Sequence, residues 1–194
     1  MKRLLQQWMM IGALFFSFTI SALAAETYNF DPMHTYILWH INHFGFSIQA
    51  GKFTMVDGTL ILDEAKPENS KVNVTVHTDI IATGIPKLDE HLKSDTFFDV
   101  AKYPTATFVS NKILVTGKDT GKIYGTLTLH GVSKSVILDA KLLKIGMHPM
   151  NNKKSVGFSA TTTVKRSDFG MGAYLPNLGD EVQIDIGAEA NLAG

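Results

Sequence analysis

The chain has 194 residues, with 18 basic and 18 acidic side chains and no cysteine. Balanced charge excludes the basic face that holds a nucleic acid backbone, and no polybasic cluster marks an anionic membrane surface. The lack of cysteine excludes disulfides, thiol catalysis and a lipobox anchor.

Lys2 and Arg3 precede an apolar run from Trp8 to Ile20, and Ala22-Leu23-Ala24 follows with small residues. The run is shorter than the ~20 residues that span a bilayer. This is the pattern of a secretory signal over residues 1–24, cleaved after Ala24. The expected address is a bacterial periplasm, with no stable membrane anchor after cleavage. Residues 25–194 then form a single domain, slightly acidic, whose core must suffice without disulfides.

Period-two alternation dominates the rest, the signature of half-buried strands. Ile37, Trp39 and Ile41 oppose Leu38 and His40. Lys52–Leu62 reads as a strand pair bent or turned at Asp57-Gly58. Val72, Val74 and Val76 alternate with Asn73, Thr75 and His77. A helix-like insert follows from Ile85 to Val100. Pro86 suits a first helical turn, Asp89 and Glu90 suit the positive end, and Lys93 the other. Alternation resumes over Ala106–Ile113. Ile123, Leu127 and Leu129 share a face interrupted by Gly125. Val136, Leu138, Ala140 and Leu142 repeat the pattern, as do Val156, Phe158, Ala160, Thr162 and Val164. Arg166–Asp180 is a long loop without periodicity, a kind of segment that is often functional. Val182, Ile184, Ile186 and Ala188 close the series.

Turn signals at Gly117-Lys118-Asp119, His130-Gly131 and Pro149–Asn152 separate these runs. About eight strands at this spacing form a barrel or a sandwich. Ile80-Ile81, Val136–Leu138 and Leu142-Leu143 are apolar on both faces, which permits a homodimer. A barrel of this size is either just filled or holds one small ligand.

Catalytic motifs are absent. No Gly-x-Ser-x-Gly elbow occurs, and Gly170-Met171-Gly172 is too short for a phosphate loop. The seven histidines are scattered, and His40 and His43 are not spaced to share a strand face. No metal site is expected. Asp89, Glu90, His91, Asp95 and Asp99 read as a solvated helical face. Phe44, Phe46, Phe97, Phe98 and Phe169 fall in rims and loops, where aromatics are candidates for a ligand mouth.

A set of short motifs recurs in a recognisable order: Asp31-Pro32-Met33-His34-Thr35, His43-Phe44-Gly45-Phe46-Ser47 and Gly51-Lys52-Phe53. Asp89-Glu90-His91-Leu92-Lys93-Ser94, Phe97-Phe98-Asp99-Val100 and Tyr103-Pro104 come next. Gly125–Val132, Gly157-Phe158-Ser159-Ala160 and Arg166-Ser167-Asp168-Phe169-Gly170-Met171 complete it. From about Tyr28 to Ala190 the chain resembles the YceI-like family of bacterial polyisoprenoid-binding proteins. The resemblance implies an all-β fold: an extended, eight-stranded, antiparallel, lipocalin-like barrel with a short helix near one end. It also implies an isoprenoid chain in the lumen, carrying a diphosphate or a quinone. The family usually has arginine before the Asp of its Asp-x-His-Leu motif; here Leu88 stands there, after Lys87. Lysine cannot copy arginine's fork on a diphosphate, so Leu88 favours a neutral head group such as a quinone.

The resulting expectation is a non-enzymatic periplasmic protein that sequesters or carries an isoprenoid lipid, with no cofactor beyond that ligand. The lipid tail is assigned to Phe53, Val74, Phe108, Leu127, Leu129 and Phe158. The mouth and head group are assigned to His43, Phe46, Asp89, His91, Phe97, Arg166 and Asp168. Two other readings stay open: an enzyme acting on a prenyl head group, and a non-catalytic accessory of an envelope stress or electron-transfer system.

Overall fold

Alternation becomes geometry: one row of each strand points into a shared lumen and the other points out. The structure, a computed structural model, describes residues 24–194. The expected signal lies outside the described residues except for Ala24. The strands are β1 (Glu26–Phe30), β2 (Tyr36–His43), β3 (Ser47–Phe53), β4 (Val56–Leu62), β5 (Lys71–His77) and β6 (Ile81–Ala82). After helix α1 (Pro86–Lys93) come β7 (Thr105–Val115), β8 (Thr120–Leu129), β9 (Val132–Met147), β10 (Lys154–Lys165) and β11 (Leu178–Leu192).

These 11 strands occupy eight lanes of one antiparallel barrel. β1 and β2 share a lane, because β11 pairs with β1 through its C-terminal part and with β2 through the rest. β3 and β4 likewise share the next lane, and β5 and β6 the one after. β7 to β11 complete the up-and-down order. The ring closes where Tyr28 meets Leu192 and Phe30 meets Ala190.

The expected bend between Lys52 and Leu62 is real but is not at Asp57-Gly58. Those residues sit inside β4, opposite Thr75 and Val74. The interruption is at residues 54–55. Gly58 serves close approach: its φ is +147°, and a Cβ there would lie 2.1 Å from the Asn73 carbonyl oxygen. No L side chain fits such a contact.

Helix α1 covers a place where neighbouring lanes part. β5 pairs with β7, whereas β6 pairs with β3. Pro86 occupies the first turn, Ile85 precedes it in extended backbone, and Asp89 lies at the positive end. Leu92 and the partly buried Leu88 anchor the helix on Trp39, Phe53, Phe97 and Leu178. At the other end of the barrel Tyr28, Leu60, Leu62, Val156 and Ala190 form a second cluster.

A charged clasp ties this second end. The Tyr28 hydroxyl donates to Glu26 Oε2 at 2.7 Å, and Lys154 Nζ donates to Glu26 at 2.5 Å and to Glu64 at 2.7 Å. The bond from Lys154, with that from Tyr28, holds the Glu26 carboxyl below its usual range. Burial, helped by Glu26, pushes the fully buried Tyr28 phenol from 10.0 up to about 12. A phenol kept neutral in the folded state contributes stability below pH 10, which is lost as pH rises towards 12. The melting temperature therefore falls across that window, and Tyr28→Phe flattens the fall. Melting curves of the two proteins that stay parallel from pH 9 to 12 would refute this role.

Candidate functional site

A cavity of about 880 Å³ runs along the barrel axis, near the upper end of the usual range for ligand pockets. It reaches His43, Phe44, Leu88, His91 and Tyr174 at the helix end, and Glu64, Val115, Lys118 and Asp119 at the other. The wall between is the inner row of every lane. Ile37, Trp39 and Ile41 come from β2, Val72, Val74 and Val76 from β5, and Ile184, Ile186 and Ala188 from β11. Many of these side chains are only half-buried although they point inward. Apolar surface inside the barrel is therefore accessible.

All six residues assigned to a lipid tail line this wall. Val74, Phe108 and Leu127 lie abreast on three successive strands. Phe158 lies between Leu142 and Ala188. Phe53 meets Phe98 edge-on, with centroids 5.5 Å apart, a favourable aromatic geometry. Leu129 lines the wall at the end of β8.

The residues assigned to the mouth divide. His43, His91, Phe97 and Arg166 line the cavity. His91 packs edge-on against Phe97 at 5.1 Å. Phe46, Asp89 and Asp168 do not line it, each for a local reason. Phe46 follows Gly45, whose φ of +77° reverses the chain, and its backbone N–H donates to His43 O at 3.0 Å. That turn leaves the Phe46 ring 92% exposed. Asp89 turns back on the segment before the helix and accepts from Thr83 N–H at 2.8 Å and from Thr83 Oγ1 at 2.6 Å. Asp168 lies exposed in the short 3-10 turn Arg166–Phe169.

Arg166 is buried and faces the cavity, but its guanidinium is engaged with backbone. Nε donates to Gly179 O at 2.7 Å, Nη2 to Leu178 O at 3.1 Å and Nη1 to Met171 O. Burial lowers its pKa, and Asp180 opposes the shift. Asp180 itself accepts from Ser167 N–H and Oγ at 3.0 and 2.8 Å. Arg166 thus ties the long loop back onto the start of β11.

Two contributors, Trp39 and Tyr174, lie outside the residues assigned to the site from sequence, and Leu88 joins them from the family's arginine position. Trp39 lines the wall with its indole across Gly51, where a Cβ would lie 2.2 Å from Trp39 Cζ2. Its buried Nε1–H has no partner. The pairing of Trp39 with Gly51 across the β2–β3 hairpin was the available signal. Leu88 lines the cavity from the helix. Tyr174, in the aperiodic loop, lies 6.0 Å from Phe97 and 6.4 Å from His91; no pattern marks it.

The remaining histidines serve local structure. His34, His40 and His77 sit 3.1, 3.2 and 2.9 Å from Asp31, Asp185 and Asp57. His130 Nδ1 lies 3.1 Å from Phe169 O, and His148 Nδ1 accepts from Met150 N–H at 3.3 Å. Among the described residues no group of three His, Asp or Glu side chains is placed to hold a metal ion.

Known proteins share this architecture. The Burkholderia cenocepacia protein BcnA superposes with a TM-score of 0.75 at 22% identity, over 82% of this chain and 98% of BcnA. The Campylobacter jejuni YceI protein gives 0.71 at 33% identity, over 79% and 90%. A polyisoprenoid-binding domain from Saccharophagus degradans, implicated in plant cell wall breakdown, gives 0.68 at 16% identity, over 86% and 98%. In sequence, a Pectobacterium atrosepticum UPF0312 protein is 42% identical over 171 residues, 87% of this chain and 88% of the relative. The protein YceI of Salmonella arizonae is 40% identical over 181 residues, 92% and 93%. The model of the YceI-like domain matches residues 28–190. That span takes in almost every strand of the barrel and every residue assigned to the lumen and its mouth, and with the matching fold it makes this chain a member of the YceI-like family.

Proposed function

We propose that this protein is a non-catalytic carrier or store for an isoprenoid lipid, working in the periplasm. The observation that carries the reading is the axial cavity of about 880 Å³, walled by the apolar row of every strand lane. A branched hydrocarbon chain is the ligand class that such an end-to-end apolar bore fits. Burial of each CH₂ contributes about 0.8 kcal/mol. An isoprene unit of five carbons is then worth about 4 kcal/mol, and a few units exceed association costs of roughly 4–15 kcal/mol. The description of the Saccharophagus relative as polyisoprenoid-binding points the same way.

The head group we infer is neutral and oxygen-bearing, of the quinone class. Among the described residues the one fixed cation lining the helix end is Arg166, and each of its nitrogens already donates to a carbonyl. Leu88 offers hydrocarbon where an arginine would grip a diphosphate. Leu88→Arg is therefore expected to raise affinity for a polyprenyl diphosphate about tenfold or more, as charge-assisted bonds do, while weakening a quinone. Titration of both ligands into both proteins measures this; equal affinities would remove Leu88 from head-group selection.

Native mass spectrometry of gently purified protein, followed by solvent extraction, tests the whole reading. The expected result is one bound lipid whose homologues differ by isoprene units. Delipidated protein with no saturable binding of prenyl quinones or prenyl diphosphates would end it.

A further inference from the structure

Around the helix-end mouth lies an exposed apolar rim that no strand pairing or core packing explains. Phe46 is 92% exposed and Ile48, two positions along the extended chain, is 63% exposed. Both belong to the β2–β3 hairpin. Phe44 in the same turn, and Tyr174 and Leu175 in the loop before β11, are also exposed. The two segments start side by side, because Leu178 pairs with His43. We propose that this rim docks on the surface of a lipid bilayer, and that the lipid enters the barrel from there without crossing water.

Three observations select a bilayer. First, the rim is continuous with the lumen: Phe44 and Tyr174 are exposed and also line the cavity. An apolar chain leaving a membrane at this point meets hydrocarbon the whole way. Second, the rim is free of fixed charge. Residues 41–51 and 169–179 contain no Lys, Arg, Asp or Glu, although the chain holds 36 such residues, 18 of each sign. Inserting these segments among acyl chains therefore desolvates no ion. Their ionisable side chains are His43 and Tyr174, and tyrosine favours the bilayer interface. Helix α1, whose His91 packs beside Tyr174, shows exposed Lys87 and Glu90, so the apolar rim borders a charged, aqueous side, as an interfacial element does. Third, five side chains fall well short of the roughly 20–30 residues a side that a stable protein interface uses. A second copy of the chain does not fit so small a patch.

The inference rests on the carrier reading, and one experiment separates the two. Phosphatidylcholine vesicles containing a long-chain prenylquinone are mixed with the purified protein or with its F46D/I48D variant, neither position lining the cavity. Wild type is expected to sediment with the vesicles and to extract quinone. The variant is expected to lose sedimentation and to extract at least about tenfold more slowly, the scale of one or two apolar anchors lost. Quinone supplied in detergent should be held equally by both. Extraction by the variant at the wild-type rate, or a wild type that never sediments, overturns membrane docking. So does a wild-type dimer that the variant converts to monomer, which would make the rim a self-interface. A protein that sediments with vesicles but takes neither quinone nor a prenyl diphosphate from either source keeps the docking surface and ends the carrier reading.

Discussion

Tryptophan in place of Ala140 is expected to abolish lipid uptake and leave the barrel folded. Ala140 on β9 pairs with Gly121 on β8 and with Ala160 on β10. All three line the cavity, so three small residues abreast make a stretch of wall with little side chain on it. An indole there has only the lumen to enter. Displacing a single isoprene unit removes about 4 kcal/mol of burial, near a thousandfold in Kd. Fluorescence titration with a prenylquinone reads the affinity, and a melting curve reads the fold. Ala140→Leu serves as a milder step, with an intermediate loss. A tryptophan variant that folds and binds like wild type would show that the ligand does not pass this point, and the axial cavity would lose its role.

Removal of the Arg166 side chain is expected to cost more stability than any loop substitution usually does. Arg166→Met keeps the volume but leaves the carbonyls of Met171, Leu178 and Gly179 without their donors. At roughly 1–3 kcal/mol for each buried acceptor left unpaired, the loss is about 3–6 kcal/mol after partial relaxation. Total stability of a domain is about 5–15 kcal/mol. The melting temperature should drop by roughly 10–20 °C, and Arg166→Lys should restore only part, because an ammonium cannot serve three diverging carbonyls. Calorimetry decides. A methionine variant that melts within about 2 °C of wild type would mean that Arg166 is not the tie holding the loop, and would return it to the list of head-group contacts.

The strand faces were legible because period-two alternation states directly which side chains share a side. Val72, Val74 and Val76, the β8 row and the β11 row all face the lumen as read. Closure was not legible from alternation, which is the same in a sandwich; it came from the family resemblance. It is made by Tyr28 meeting Leu192, a contact with no local signature. β1 and β6, with 5 and 2 residues, are too short to show a period. Asp57-Gly58 reads as a bend or turn because glycine punctuates turns more often than it yields room to a neighbouring backbone. Side chains at the mouth were the least legible. Phe46 and Asp89 sit in motif segments, but a tight turn aims one outward and Thr83 captures the other. Arg166 was found, but its partners come from a returning loop that only the folded chain brings back.

The seam between β1 and β11 also orders events in time. It joins the first and last strands of the described chain, Glu26–Phe30 and Leu178–Leu192. Loop closure over such a separation is slow and carries a large entropic cost before any contact rewards it. Since synthesis proceeds from the N-terminus, β1 must wait with one edge unpaired until β11 has emerged. Hairpins such as β8–β9 and β9–β10 can form as they appear, whereas a sealed bore cannot exist on a nascent chain. On the carrier reading, loading is therefore confined to the finished molecule, and the final fifteen-residue strand acts as the stave that completes the cask.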